Sequence, residues 1–293
     1  MTRIRFIINP KSGIHLRPQK ILKAIQGLYP AESSEVDIQF TEGPGDGTRL
    51  ARKAVEEGIN LLIAVGGDGT INEIGRGLIY SQTVLGIVPT GSGNGFARNF
   101  HIPLNQLKAL ELLKSYRTLD IDVGKLNDHY FFNVAGMGLD AIISQKFEDF
   151  GIRGPLPYFL TGTQSFLKYV PETVHLTFNN KELEFAPLLL SIANAPQYGN
   201  GAIIAPSADP TDGLLDLIIL DNLSFFKAAG NIYRLFNGTV DQIEGFHSFK
   251  VDRLLIRRPA AGVIHTDGNP HQEQAVLQIE VLPKALKLAV PLS

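Results

Sequence analysis

The sequence predicts an α/β protein in two parts, a parallel-sheet domain covered by helices followed by a β-rich sandwich domain. Three features of the 293-residue chain carry that prediction. Up to residue 118, apolar runs of strand length alternate with amphipathic helical stretches, the pattern of a parallel sheet buried on both faces. Near residues 119–123 the texture changes. Strands become short, and turn pairs such as Asn127-Asp128, Asn179-Asn180, Asp212-Gly213 and Asp267-Gly268 separate them. Neither a low-complexity linker nor an internal repeat interrupts the chain. The expected division is residues 1–122 and 123–283, with residues 284–293 set apart after Pro283.

In order, residues 3–8 read as a buried strand, and Asn9-Pro10-Lys11-Ser12-Gly13 as a turn. Pro18 opens a helix over 17–28, because its missing N–H is not needed in a first turn. Strand 36–40 ends at Thr41, and Gly43-Pro44-Gly45 breaks the chain. Leu50, Ala51, Ala54 and Val55 give 46–57 one apolar face, stopped by Gly58. Strand 59–65 runs through a glycine turn into a helix ending near residue 79, and strand 84–88 repeats the layout. Leu104, Leu107, Leu110, Leu112 and Leu113 mark a helix over 104–114. Beyond it, 131–135, 174–178, 188–193, 214–220, 254–257 and 276–282 read as strands, with helices at 141–150, 158–169 and 225–235. Residues 285–290 read as a last strand after Pro283.

Composition narrows the function. A net charge of −2 gives no general case for nucleic-acid binding. The absence of cysteine excludes disulfides, thiolate metal sites and cysteine nucleophiles. The first ten residues hold too short an apolar run for a signal peptide, and no run reaches the length of a membrane span. The expectation is a cytoplasmic protein that works on membranes, if at all, from their periphery.

The stretch Leu61-Leu62-Ile63-Ala64-Val65-Gly66-Gly67-Asp68-Gly69-Thr70-Ile71-Asn72-Glu73 joins a buried strand, a glycine turn and a helix start. Such a turn admits an anion, because glycine lets the backbone approach and the free N–H groups and helix dipole favour negative charge. A carboxylate beside a phosphate is repulsive without a cation, so Asp68 is read as organising a metal, a water or a nucleotide hydroxyl. A second turn, Pro89-Thr90-Gly91-Ser92-Gly93-Asn94-Gly95-Phe96-Ala97-Arg98, follows the next strand. Asn94 and Arg98 are spaced to share one helix face. Two such turns on successive parallel strands lie side by side, where open α/β sheets bind ligands.

Together, G-G-D-G-T-x-N-E and P-x-G-[ST]-x-N-x-F-A-R resemble the bacterial diacylglycerol kinase and lipid kinase family, related to sphingosine kinases and more remotely to NAD kinases and phosphofructokinases. The resemblance implies a nucleotide-binding first domain to which the chain end, 284–293, returns. Asn9 and Lys11 would face its nucleotide end. Asn9, Thr41, Gly66, Gly67, Asp68, Gly69, Thr70, Asn72 and Ser92 would form the ATP site. Asp212, with the carbonyls of Leu215 and Leu217, would hold a structural Mg2+. Asp267 would be the general base of the D-G-E motif, here Asp267-Gly268-Asn269. Asn269 replaces the family glutamate, and Gly95 stands where diacylglycerol kinases carry aspartate.

The implied activity is ATP- and Mg2+-dependent phosphorylation of a primary hydroxyl on a diacylglycerol-like or sphingoid-like lipid. The implied partners are ATP and a lipid at a membrane surface, with a homodimer left open. Tyr158, Phe159, Phe166 and Tyr169, with Lys11 and Arg17, are the expected docking residues. One rival reading is an NAD kinase-like enzyme, although its T-P-T-G-S-T-A-Y pattern is not matched beyond Ser92. The other is a lipid- or nucleotide-binding protein that lost catalysis, suggested by Asn269. Arg257-Arg258 reads as a solvated strand end. His175, His247, His265 and His271 have no ligand-like spacing, and no G-x-S-x-G hydrolase elbow is present.

Overall fold

The computed structural model describes residues 2–13, 18–29, 34–142, 145, 166 and 168–292. Two compact units divide the chain, residues 1–121 with 284–293, and residues 122–283. Most of the expected helices at 141–150 and 158–169 lie outside the described residues, as do Arg17, Tyr158 and Phe159.

The first unit is built on strands β1 (Thr2–Ile8), β2 (Ser34–Phe40), β3 (Leu61–Gly66) and β4 (Val84–Pro89). They lie parallel in the order β2-β1-β3-β4. Phe6, Ile7, Ile8 and residues 62–65 are fully buried, which explains the apolar run of β3 and of the second half of β1. Helices α1 (Pro18–Leu28), α2 (Asp46–Glu56) and α3 (Asp68–Leu78) follow the first three strands. Packing of α2 on α3 is close: a Cβ on Gly77 would come 2.6 Å from that of Ala51. After β4 come the single turn α4 (Gly95–Asn99) and α5 (Gln106–Leu112). The latter starts two residues later than the leucine pattern predicts. Asn105 caps it, accepting from the N–H groups of Leu107 and Lys108 at 3.1 Å each, and leaves Leu104 outside and exposed. The end of the chain's last strand lies in this unit, where Leu288 pairs in parallel with Leu85.

In the second unit, β5 (Arg117–Leu126) leads in and turns back into β6 (His129–Phe131). A six-stranded antiparallel sheet contains β7 (Val134–Gly138), β10 (Pro187–Ala193), β13 (Leu215–Asp221), β14 (Phe246–Val251), β16 (Gly262–Thr266) and β17 (Asn269–Glu273). Its order is β14-β13-β10-β7-β16-β17. A second layer runs from β18 (Val276–Val290) through β15 (Arg253–Arg257) and β8 (Val174–Phe178) to β9 (Lys181–Phe185). Alternate residues of both layers form the core: Leu190 and Ile192, Leu215 and Leu217, and Ile264 from one, with Leu176, Ile256, Leu277 and Ile279 from the other. This is the expected sandwich. A small hairpin, β11 (Gln197–Gly199) and β12 (Ala202–Ile203), follows β10. The helix expected at 225–235 divides into α6 (Phe225–Asn231) and α7 (Arg234–Asn237), neither with a buried residue.

Candidate active site

Three loops meet at the C-terminal ends of β1, β3 and β4. Gly66 carbonyl accepts from Thr90 N–H at 2.9 Å, and Val65 carbonyl from Asn9 N–H at 3.0 Å. Ser12 Oγ and Thr90 Oγ1 are 2.9 Å apart, and Asn9 Nδ2 donates to Thr70 Oγ1 at 2.9 Å. Glycine is required by packing where the loops touch. A Cβ on Gly91 would lie 2.8 Å from the Cα of Gly67, and one on Gly13, where φ is +79°, would strike the Thr90 carbonyl oxygen. Gly69 differs: among the described residues a Cβ there would meet nothing within 4 Å beyond its own helix backbone and chain neighbours, so packing makes no demand for glycine. A ligand lying against the backbone would make that demand, and this fits a nucleotide phosphate at the start of α3.

Asp68 is half-buried at the first position of α3, and its Oδ1 accepts from Phe96 N–H at 3.2 Å. Burial pushes its carboxyl up from the ordinary aspartate range, against the opposing pull of the backbone N–H groups of Phe96, Gly95 and Asn94. Asp68 therefore ties the first turn to the second. Asn94 and Arg98 do not line one helix face. Asn94 sits at φ +47° and donates to Gly91 carbonyl at 2.8 Å, while Arg98 Nε donates to Gly93 carbonyl at 3.1 Å. Both close the second turn, and Asn94 Oδ1 is buried with no hydrogen-bond partner among the described residues. Thr41 is buried at the end of β2, and Asn72 is buried on α3. Lys11 is exposed, and so is Ser92 within the second turn. Glu73 has a role that its motif alone did not reveal. Its carboxylate accepts from Gly45 N–H at 3.1 Å and Gly47 N–H at 3.0 Å, holding the N-terminus of α2 against α3.

In the second unit, Asp267 (φ +49°) and Gly268 (φ +83°) form the two-residue turn between β16 and β17, with both residues in the left-handed region. The side chain does more than fit a turn. Its Oδ2 accepts from Phe132 N–H at 2.9 Å, and its Oδ1 from Asn133 and Val134 N–H at 2.8 and 3.1 Å. Asn269 is exposed at the start of β17. Immediately before the turn, His265 is fully buried, and its Nε2 lies 3.1 Å from Asp140 Oδ2. Ser191 and Tyr198 hydroxyls donate to the same oxygen at 3.2 and 3.0 Å. Ser191 and His265 thus share the carboxylate rather than a bond to each other, so this cluster cannot activate a serine nucleophile. Gly268 N–H reaches His265 Nδ1 at 3.4 Å, linking the buried cluster to the Asp267 turn. Nearby, a cavity of about 300 Å³ is lined by Met137, Ile142, Tyr169, Pro187, Arg258 and Val263 among others. Arg258 is not a solvated strand end. Its guanidinium is buried and donates to the carbonyls of Glu273 and Gly262 at 2.6 and 2.9 Å.

Residues 3–126 match the family model for the diacylglycerol kinase catalytic domain, and residues 133–290 that for the YegS C-terminal NAD kinase beta sandwich-like domain. The chain belongs to the diacylglycerol kinase and YegS-like lipid kinase family. The "Diacylglycerol kinase" of Bacillus subtilis is 32% identical over 75% of this chain and 74% of its own length. The Chromohalobacter salexigens protein named "Probable lipid kinase YegS-like" is 32% identical over 87% of this chain and 83% of its own. A crystal structure of a diacylglycerol kinase from Bacillus anthracis superposes with a TM-score of 0.76 at 20% identity, covering 99% of this chain and 97% of that one, a likeness of fold.

The Mg2+ site that the family resemblance implies does not fit the residues present. Lys250 Nζ lies 2.7 Å from Asp212 Oδ2, 2.8 Å from Asp216 Oδ2 and 3.3 Å from Ser207 carbonyl, so an ammonium stands where the ion would. The other oxygen of Asp212 accepts from Leu214 N–H at 2.9 Å. Leu215 and Leu217 lie in β13, Leu215 paired with Val251 and Leu217 with both Ile192 and Phe249. Burial alone would push the Lys250 ammonium down, but the two carboxylates outweigh it and hold it above the usual lysine range. Asp216 is buried and also accepts from Ser207 Oγ at 2.9 Å. Lysine at residue 250 carried no signal in the sequence, because the pairing β13–β14 that brings it opposite Asp216 is long-range.

Proposed function

We propose that this family member is an ATP- and Mg2+-dependent lipid kinase that phosphorylates a primary hydroxyl of a diacylglycerol-like or sphingoid-like lipid. The observation that carries the proposal is the pair of mutually packed glycine turns, with Gly69 open to a ligand beside the buried Asn94 and the half-buried Asp68. Phosphoryl transfer asks mainly for positioning and charge neutralisation. Gly66, Gly67, Gly69, Thr70, Asn72 and Ser92 hold the triphosphate with backbone N–H and hydroxyl groups, while Asn9 and Thr41 border them. Mg2+ carried by the nucleotide substrate would supply neutralisation of phosphate charge, and Asp212, engaged by Lys250, would not hold it. The acceptor oxygen bonds to the γ-phosphorus as the bond to the β–γ bridging oxygen breaks, and ADP leaves. The hydroxyl proton passes to Asp267, which three backbone N–H donors hold in one place. The enzyme works at the membrane periphery, where its acceptor resides.

Radiolabelled ATP incubated with a total lipid extract tests this, by showing which lipid acquires label. Labelling of NAD in place of lipid would favour the NAD kinase-like reading. The exposed Asn269, standing where the family carries glutamate, keeps one other reading in play. Nucleotide binding without turnover on any lipid would mark a member that has lost catalysis.

A further inference from the structure

The largest apolar exposure clustered along the described chain is on α6 and α7. Phe226 is 86% exposed, Phe236 60%, Tyr233 52% and Ile232 46%, all within eleven residues. Exposed aromatic side chains gathered in this way mark a surface that something covers. From residue 222 to 239 the only charges are Lys227 and Arg234, both cationic. Lys227 pairs with Glu244 at 2.9 Å, but both side chains are well exposed and such a pair binds weakly. Arg234 has neutral partners, Asn231 and Gln242, at 2.9 and 2.8 Å, and lies 5.4 Å from the Tyr233 ring centre. Asp221 just before this stretch, paired with His247 at 3.2 Å, and Asp241 and Glu244 just after it are the nearest acids along the chain.

Near the patch, the helix start at Phe225 meets a residue that is close in sequence to the cavity lining. Phe225 stacks edge-on against Phe166 at 5.6 Å, and Lys168, Tyr169 and the exposed Val170, just beyond Phe166, line the cavity. Aromatic tips interleaved with Lys227 and Arg234 match the boundary of an anionic bilayer. A second copy of the chain fits less well, because a two-fold contact would bring Lys227 and Arg234 of both copies together.

We propose that α6 and α7 form the membrane-docking face, with Phe226, Tyr233 and Phe236 entering the interface of an anionic bilayer. The purpose of that docking rests on the lipid kinase reading, but the surface can be tested apart from it. The full chain is floated with phosphatidylcholine vesicles with and without phosphatidylglycerol, beside the double variant Phe226→Ser/Phe236→Ser. The wild type is expected to float best with the anionic vesicles. The variant should lose at least about tenfold in apparent affinity, as each phenyl ring contributes apolar burial. Its melting temperature and its labelling of lipid in detergent micelles should stay unchanged. A variant that floats like the wild type, or a wild type that binds neither vesicle, overturns the proposal. So does a dimer in sedimentation equilibrium that the same substitutions dissolve. If the variant loses flotation while neither protein labels lipid in micelles, the docking face stands and the kinase reading falls.

Discussion

Replacing Lys250 by methionine removes a cation and keeps a side chain of similar length. The carboxylate of Asp216 is then left 1% exposed, retaining the Ser207 hydroxyl but no ammonium. Breaking a buried ion pair costs about 3–5 kcal/mol, because one charge stays behind in a poor solvent. The lysine and Asp212 are 35% and 28% exposed, which screens part of the loss and places it near the lower end, about 3 kcal/mol. For a unit of this size the melting temperature should fall by about 6–12 °C. Circular dichroism melts without nucleotide, in EDTA and then in Mg2+, measure it. Wild-type protein should melt alike in both, since its cation is covalently attached. Lys250→Met should melt lower and recover in part with Mg2+, whose charge can replace the missing ammonium. Lys250→Met/Asp216→Asn should recover most of the loss without metal. A wild type that loses stability in EDTA and regains it with one equivalent of Mg2+ would refute the reasoning and restore a metal to Asp212.

Asp68→Asn keeps the acceptor for Phe96 N–H and removes a buried charge. Because burial raises the folded-state pKa of Asp68, its native form holds more protons than the unfolded chain, so stability falls as pH rises through that pKa. The variant should melt no lower than wild type at neutral pH, with the gap closing on acidification, yet lose lipid labelling; full labelling would reduce Asp68 to a tie between turns. Gly69→Ala should leave the melting temperature level or raise it by up to about 1 kcal/mol equivalent, given alanine's helix propensity, while weakening ATP binding in titration calorimetry. Gly91→Ala should lower both, because its Cβ meets backbone 2.8 Å away; equal ATP affinity in all three proteins would remove the phosphate from these turns. Asp267→Asn puts an amide nitrogen toward at least one backbone N–H donor, costing about 1–3 kcal/mol, and removes the base, costing about a hundredfold to ten-thousandfold in turnover. Asn269→Glu should be tolerated, and near-normal turnover of Asp267→Asn on the labelled lipid would strike Asp267 from the mechanism.

The parallel sheet was legible in the sequence because β3, β4 and the second half of β1 are covered on both faces, so each reads as an apolar run. Strands β9, β14 and β17 were not. Each ends a sheet, and an edge strand carries charge and polarity where a central one carries valine and leucine. Lys181-Glu182-Leu183-Glu184-Phe185 and Asn269-Pro270-His271-Gln272-Glu273 show this, the second even tolerating proline. The long strand β18 was read as two pieces because Pro283 and Lys284 interrupt its pattern, with Lys284 at φ +49°.

For the site, glycine spacing revealed both turns, since close approach leaves a mark at each position where a Cβ cannot go. Side-chain partnerships left no such mark. Asp68 and Asp267 stood out as carboxylates beside glycine, and Glu73 as the end of the G-G-D-G-T-x-N-E motif, but only the structure assigns their oxygens to backbone donors in other loops. The consequence for mechanism is direct. A carboxylate that also organises backbone cannot be tested by a single loss of activity, because loosening the loop and losing the chemistry both lower the rate. Asp68→Asn separates the two by keeping the cap and deleting the charge. Asp267 permits no equally clean deletion, so its assignment turns on magnitude. Loop loosening of about 1–3 kcal/mol shows in the melting curve. A rate loss of about a thousandfold or more with ATP affinity preserved exceeds it, and belongs to the proton.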